Sequence, residues 1–261
     1  MVANMEYIKN EQIEFLGKEI PIIEKASDTL EDSSKVEVIW LYPTANTYED
    51  WVNASLHACW NTWEVAPYKE ADACIKKGNA ETMLMKLLDK RNIGIVYEIP
   101  KFTFKINGLS RAMTHQCVRS RFANYGQQSL RVAVVAHQPV RKPSAEEFEN
   151  DDVVKREYKR IVQESHQLYL DMIKTGIPVE QARNILPIGQ TTSIVITMDL
   201  RTLVDYFRNR TSSIVQDEHK ELVVKIAKAF EESQPNFFQF VCTKVDGLKE
   251  LVAREPKELI E

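Results

Sequence analysis

Between Arg111 and Arg131 the chain carries four arginines, Arg111, Arg119, Arg121 and Arg131, interspersed with Gln116, Gln127, Gln128 and Ser129. Guanidinium groups offer planar forks of donors that match phosphate and carboxylate oxygens, and they keep their charge when half-buried. The window from Ile99 to Ala145 holds no Asp or Glu but eight Lys and Arg, five of them Arg. The whole chain has a net charge of -4, so the remainder carries -12. An acid-free basic island in an acidic protein points to a local anion site. The aromatics beside these arginines are Phe122 and Tyr125. That is too few for a nucleic-acid stacking surface, so no nucleic-acid partner is expected. The chemistry implied is capture of the phosphate of a small anionic ligand.

Several elements must bring these groups together. Residues 109–121 read as a helix, on which Gln116 and Arg119 share a face. Residues 129–136, SLRVAVVA, are rich in β-formers and read as extended, with Ser129 and Arg131 on one face. Gly126 marks a bend between the two. Around them, 36–42 reads as a strand and 47–63 as a helix carrying three of the four tryptophans. Residues 71–91 read as a helix interrupted near Gly78, and Val96 to Ile106 as extended. Residues 153–173 read as a helix opened by Asn150, Asp151 and Asp152, and 179–186 as a short helix closed by Pro187. A strand is expected at 193–198, with helices over 199–209 and 218–232. Strands mixed with long helices imply an α/β fold of the α+β mixed kind. We expect a single domain over 1–261, with a central mixed β-sheet flanked by long helices.

The 44% hydrophobic and 28% charged content fits an ordinary globular chain. The first twenty residues lack an apolar core and carry acids, so no signal or transit peptide is expected. No apolar run approaches spanning length, so no membrane partner is expected and the localisation reads as cytoplasmic. Cys59, Cys74, Cys117 and Cys242 show no ligand spacing and read as reduced, mostly buried thiols. The histidines form no HxH or HExxH pair, so no metal site is expected.

Gln116, Arg119, Arg121, Ser129 and Arg131 stand in a pattern that resembles the signature of the flavin-dependent thymidylate synthases. That signature is Arg-His-Arg, seven residues, then Ser, with Gln three positions before the first Arg. A second block is similar as well. Ala182-Arg183-Asn184-Ile185-Leu186-Pro187, Leu200-Arg201-Thr202-Leu203, Arg210 and Gln216-Asp217-Glu218 follow the family's C-terminal pattern without a gap. His57-Ala58-Cys59-Trp60 is a weaker match. The resemblance spans roughly residues 50 to 235.

The resemblance implies reductive methylation of dUMP to dTMP. Methylene-tetrahydrofolate would supply the carbon and NADPH would reduce a bound FAD, in a homotetramer with shared active sites. By position, Gln116, Arg119, Gln127, Ser129, Arg131, Arg183 and Arg210 would bind dUMP, with Ser129 and Arg210 catalytic. Cys59, Glu98, Ser120, Arg121, Arg201 and Asp205 would lie on the FAD side. The match assigns Arg111 no contact, leaving it a structural role. Taken singly, Arg183 is also open to capping its short helix, and Arg210 to pairing with Asp217 or Glu218.

Departures concentrate on the flavin side. Ser120 replaces the signature's central His, and Ile93–Ile99 keeps only Glu98 of the family's His-Glu-x-Pro-Phe-Glu-His. Gly126-Gln127 replaces Asn-Glu, Asp199 and Asp205 replace Asn, Val132 replaces Tyr, and Ile214 replaces His. Two other readings therefore stand beside the first: an enzyme modifying another pyrimidine nucleotide, and a non-catalytic nucleotide-binding paralogue that has lost flavin. Both blocks survive in order and spacing, which favours the methylating enzyme.

Overall fold

The computed structural model describes residues 12–15, 18–21, 37–43, 47–60, 67–90, 93–136, 138–211 and 215–253. Ile214 and that part of the predicted 47–63 helix beyond Trp60 lie outside them. In chain order the first strands are β1 (Gln12–Phe15), β2 (Lys18–Pro21) and β3 (Glu37–Pro43). Helices α1 (Tyr48–Trp60), α2 (Pro67–Lys76) and α3 (Ala80–Lys90) follow. A 3-10 turn at Gly94–Tyr97 leads to β4 (Lys101–Ser110), α4 (Arg111–Cys117) and β5 (Ala123–Gln127). Next come α5 (Glu146–Asn150), α6 (Asp152–Lys174), α7 (Val179–Ala182) and β6 (Thr191–Asp199). The chain continues as α8 (Leu200–Arg210), α9 (Asp217–Ser233), α10 (Pro235–Cys242) and α11 (Leu248–Ala253). β1 and β2 form an antiparallel pair, and the other four strands form a sheet in the order β3-β4-β6-β5. The α/β class is as expected, with helices flanking the sheet. Among the described residues no helix is long and apolar enough to cross a membrane.

The chain divides into two compact units. The first comprises residues 1–35, 107–116 and 127–194. The second comprises 36–106, 117–126 and 195–261.

In the second unit, side chains of β4 alternate: Phe102, Phe104 and Ile106 are buried, while Thr103 and Lys105 are half-buried, the period-2 pattern of a pleated strand. β6 does the same with Ile196 and Met198. The two strands also share a hydroxyl contact, Thr103 Oγ1 to Thr197 Oγ1 at 2.9 Å. Phe102 stacks edge-on against Phe230 of α9 and Phe237 of α10, at 4.9 and 5.2 Å between ring centres. Trp51 of α1 packs on Phe237 and Phe240. Gly78, at φ 69°, separates α2 from α3 as foreseen. α10 was not anticipated, although Pro235 opens it at the position where proline suits a helix start.

In the first unit, Asp151 caps α6 as its sequence signal suggested, accepting from the amides of Val153 and Val154. The extended reading of 129–136 is overturned. This segment is a turn followed by irregular chain. Val134, Val135 and Ala136 are buried consecutively instead of alternately, and Val134 and Ala136 join a core with Tyr169, Leu170, Ile173 and Ala182. Irregular backbone can be buried there because the buried Gln190 amide donates to Val135 O and Gln138 O, at 3.2 and 2.9 Å. Gln190 Oε1 in turn lies 2.7 Å from His166 Nε2. The strand actually present is β5, which includes Gly126, so the expected bend at that glycine is absent.

Candidate functional site

In the first unit the candidate residues cluster around Gln128 and the end of the 3-10 turn Arg183–Ile185. Arg111 Nη2 donates to Gln128 O at 2.6 Å, and the Gln128 amide donates to Ser193 O at 2.9 Å. Gln127 Nε2 donates to Thr114 Oγ1 at 3.0 Å, tying the start of this loop to α4. Gln116 lies in the last turn of α4, half-buried. Ser129 Oγ accepts the Arg131 amide at 3.1 Å, so the two residues are related by a local turn and not by a shared strand face. The bond uses the oxygen and leaves the hydroxyl proton for another acceptor.

Arg131 and Arg183 both engage Glu180, at different atoms. Arg131 Nε and Nη2 donate to Glu180 Oε2 at 3.3 and 3.1 Å. Arg183 Nε donates to the Glu180 carbonyl at 3.0 Å, which caps α7 and orients the rest of the guanidinium. Both side chains of the Arg131–Glu180 pair are solvent-exposed.

The second unit holds the remaining candidates. α4 ends at Cys117, so Arg119 lies beyond it, in a turn, and does not share a helical face with Gln116. Arg119 and Arg121 are exposed, Ser120 is half-buried, and Phe122 between the turn and β5 is 85% exposed. The turn is held by Tyr125, whose hydroxyl lies 2.8 Å from both Cys117 O and Ser120 O. Thr202 Oγ1 lies 3.5 Å from Phe122 O, at the first turn of α8.

Arg201 and Glu98 are 103 positions apart but lie 2.9 Å from each other. The Leu200 amide donates to Pro100 O at 3.1 Å, which joins the start of α8 to the chain entering β4. Trp51 Nε1 donates to Val96 O at 2.8 Å and fixes the 3-10 turn. The Arg201 guanidinium lies where a Cβ on Gly94 would stand, so the glycine leaves a cradle for it. Asp199 is occupied as the cap of α8, accepting from the Thr202 amide at 2.8 Å. Asp205 lies 3.7 Å from Arg208. Cys59 is on the buried face of α1, and burial pushes its thiol pKa up.

Arg210 ends α8 next to a buried polar group. Tyr206 OH lies 2.8 Å from His219 Nε2. Burial first, and the Arg210 charge second, lower the His219 pKa to about 4. The Cys117 thiol is raised to about 12 by burial and by Glu218, with Arg210 opposing. Neither His219 nor Cys117 is therefore charged near neutrality. Asp217 is held by Lys220 at 3.2 Å.

Sequence reasoning missed Gly94, Glu180, Gln128 and Tyr125 as parts of these clusters. Tyr125 and Gln128 lay inside the arginine-rich window, where their side chains carried no charge signal. Glu180 was visible only as an acid three positions before Arg183.

Comparison with known proteins identifies the frame into which these clusters fit. The family model described as thymidylate synthase complementing protein matches residues 42–236. A flavin-dependent thymidylate synthase of Pyrococcus horikoshii is 34% identical over 194 residues, covering 74% of this chain and 77% of that one. The Pyrococcus furiosus protein of the same name is 33% identical over 175 residues, covering 66% and 70%. That of Sulfurisphaera tokodaii is 32% identical over 169 residues, or 64% of each chain, so the match spans just under two thirds of that relative. The chain belongs to the thymidylate synthase complementing family, the enzyme family of these flavin-dependent relatives.

Proposed function

We propose that the protein methylates dUMP to dTMP reductively, with methylene-tetrahydrofolate as carbon donor, FAD as the flavin and NADPH as reductant. The assembly we propose is a cytoplasmic homotetramer with shared active sites, built from a single domain over 1–261. The observation that carries the reading is the pair of arginines at family positions, Arg131 and Arg183, whose partners among the described residues are an exposed carboxylate and a backbone carbonyl. Such guanidiniums retain donors for a phosphate monoester.

In this reading Arg131 and Arg183 hold the phosphate, with the Ser129 hydroxyl donating to it. Gln116 and Gln127 read the uracil edge and sugar, and Arg119 adds a further cation. Arg210 faces the pyrimidine, where a fixed positive charge lowers the energy of a ring that gains electron density. Ser129 serves as a hydrogen-bonding catalytic group, since its oxygen accepts the Arg131 amide and the reading provides no base for it.

The donors on the flavin side fit the bound group. Arg121 and Arg201 are exposed cations suited to a pyrophosphate, and Ser120 offers a hydroxyl. Asp199 is spent on its cap and Asp205 has Arg208 beside it, which offsets the negative charge that replaces the family's asparagines. Glu98 orients Arg201, and Cys59 supports α1 from within. When bound and reduced, the flavin supplies the hydride.

The test is the visible absorption spectrum of the purified protein with and without added FAD, followed by NADPH oxidation with and without dUMP. A yellow protein whose NADPH oxidation depends on dUMP is expected. A colourless protein that takes up no FAD but binds dUMP would establish the non-catalytic paralogue instead. Turnover of a different pyrimidine nucleotide in place of dUMP would reassign the substrate.

A further inference from the structure

In the first unit, Val135, Ala136, Gln138 and Pro139 belong to no helix or strand. Two adjacent residues at the start of β6 take up the carbonyls of this stretch. Gln190 Nε2 donates to Val135 O and Gln138 O, at 3.2 and 2.9 Å. The Thr191 hydroxyl and amide both donate to Pro139 O, at 2.7 and 3.0 Å. Carbonyls only accept, so the Gln190 NH2 group must face them and its Oε1 must face His166. Oε1 also only accepts, so the His166 proton sits on Nε2, 2.7 Å away. The other ring nitrogen is buried and meets no donor among the described residues. An apolar side chain would fill this buried place without the cost of covering a polar ring. What the imidazole adds is direction: it holds the Gln190 amide in the one orientation that serves both carbonyls. The stretch is tied in turn to the candidate site, because Gln138 Nε2 donates to Gln128 Oε1 at 3.0 Å. Gln128 directly precedes Ser129, whose Oγ accepts the Arg131 amide.

We propose that His166 is a positioning residue for nucleotide binding, acting in series through Gln190 and Gln138 on Gln128 and so on the turn at Ser129. The proposal rests on the nucleotide reading given above and concerns side chains that do not themselves meet the ligand. His166 and Gln190 are buried, whereas Gln138 and Gln128 are half-buried. The link therefore runs from the core of the first unit outward. Each member fixes the next by a hydrogen bond, so removing one should release all that follow it.

The experiment is calorimetric titration of the full-length protein with dUMP, with thermal melts as a folding control. The variants are His166→Leu, His166→Gln, Gln138→Ala and the double variant His166→Leu/Gln138→Ala. Gln138→Ala keeps the backbone carbonyl that Gln190 serves, so it should melt close to wild type and bind dUMP about 3- to 10-fold more weakly, the effect of one neutral hydrogen bond. His166→Leu should weaken binding by a similar factor. His166→Gln can still offer an N–H to Gln190 Oε1 and should bind within about twofold of wild type. The double variant should bind no more weakly than the weaker single one, since both cut the same series. Losses that multiply in the double variant would make His166 a merely structural residue and overturn the proposal. If the wild type binds no dUMP, the nucleotide reading fails and the proposal with it. If it binds and Gln138→Ala binds equally well, only the role of His166 is overturned. Should His166→Leu not fold, the His166 Nε2–H resonance decides. It should shift with dUMP in wild type and not in Gln138→Ala; no shift in wild type overturns the proposal.

Discussion

Arg201 lies 2.9 Å from Glu98 and occupies the space directly over Gly94. The family pattern carries an acid at the position of Gly94, so here the missing side chain and the arginine above it go together. Gly94→Ala would push only the far end of a flexible side chain, and stability should change by less than about 1 kcal/mol. Flavin affinity should fall about tenfold as the guanidinium is displaced. Flavin fluorescence titration beside a thermal melt checks both, and unchanged flavin affinity would remove Arg201 from the cofactor side.

Asp199 caps the helix that presents Arg201. Asn and Asp cap helices about equally well, whereas Ala does not. Asp199→Asn should therefore leave stability nearly unchanged, and Asp199→Ala should cost about 1 kcal/mol. Urea denaturation of the two variants makes the comparison. Equal losses would mean that the carboxylate charge, and not the cap, matters at this position.

Glu180 holds Arg131 through an exposed ion pair. Pairs of this kind contribute between about 0 and 1 kcal/mol. Glu180→Gln should leave the melting curve close to wild type while freeing the Arg131 charge, and dUMP affinity should rise several-fold, more at low salt than at high salt. A loss of affinity would show that Glu180 helps to form the site instead of competing for it.

His219 is held neutral, with its pKa lowered to about 4 by burial and by Arg210. His166 is also lowered, chiefly by burial, although its contact with Gln190 works the other way. An unfolded histidine titrates near 6.5, so between about pH 6.5 and 4 the unfolded chain binds more protons than the folded one. Stability is fully present above that window and is lost as pH falls through it, by up to roughly 3 kcal/mol for His219. Denaturant midpoints measured at pH 7, 5.5 and 4.5 should fall in wild type and fall less in His219→Gln. Identical slopes in the two proteins would overturn this assignment.

Periodicity made most of the helices legible. The run from Val153 to Ile173 and its acidic start correspond to α6 and its Asp151 cap. Gly78 breaks a helix where expected, because its backbone is left-handed there. SLRVAVVA misled because consecutive burial and strand alternation draw on the same residue types. The buried Gln190 amide, more than fifty positions downstream, makes the irregular path possible. The helix expected over 109–121 spans only Arg111–Cys117, since β4 runs to Ser110 and no sequence signal marks the end at Cys117. The Tyr125 hydroxyl that holds the following turn comes from β5.

The sequence by itself determined which chemical groups the protein possesses: an acid-free stretch rich in arginine, and two blocks of residues in the order and spacing of one enzyme family. Those properties are local, since charge and spacing are written along the chain. Only the tertiary structure decided how each arginine is used. Arg131 is paired with Glu180, Arg183 is turned by a backbone carbonyl, Arg201 is seated over a glycine, and Arg111 is half-buried with its Nη2 on the Gln128 carbonyl. Apart from Arg183, whose partner lies three positions away, the partners that set these states come from distant segments of chain, and a guanidinium's role depends on which acceptors surround it.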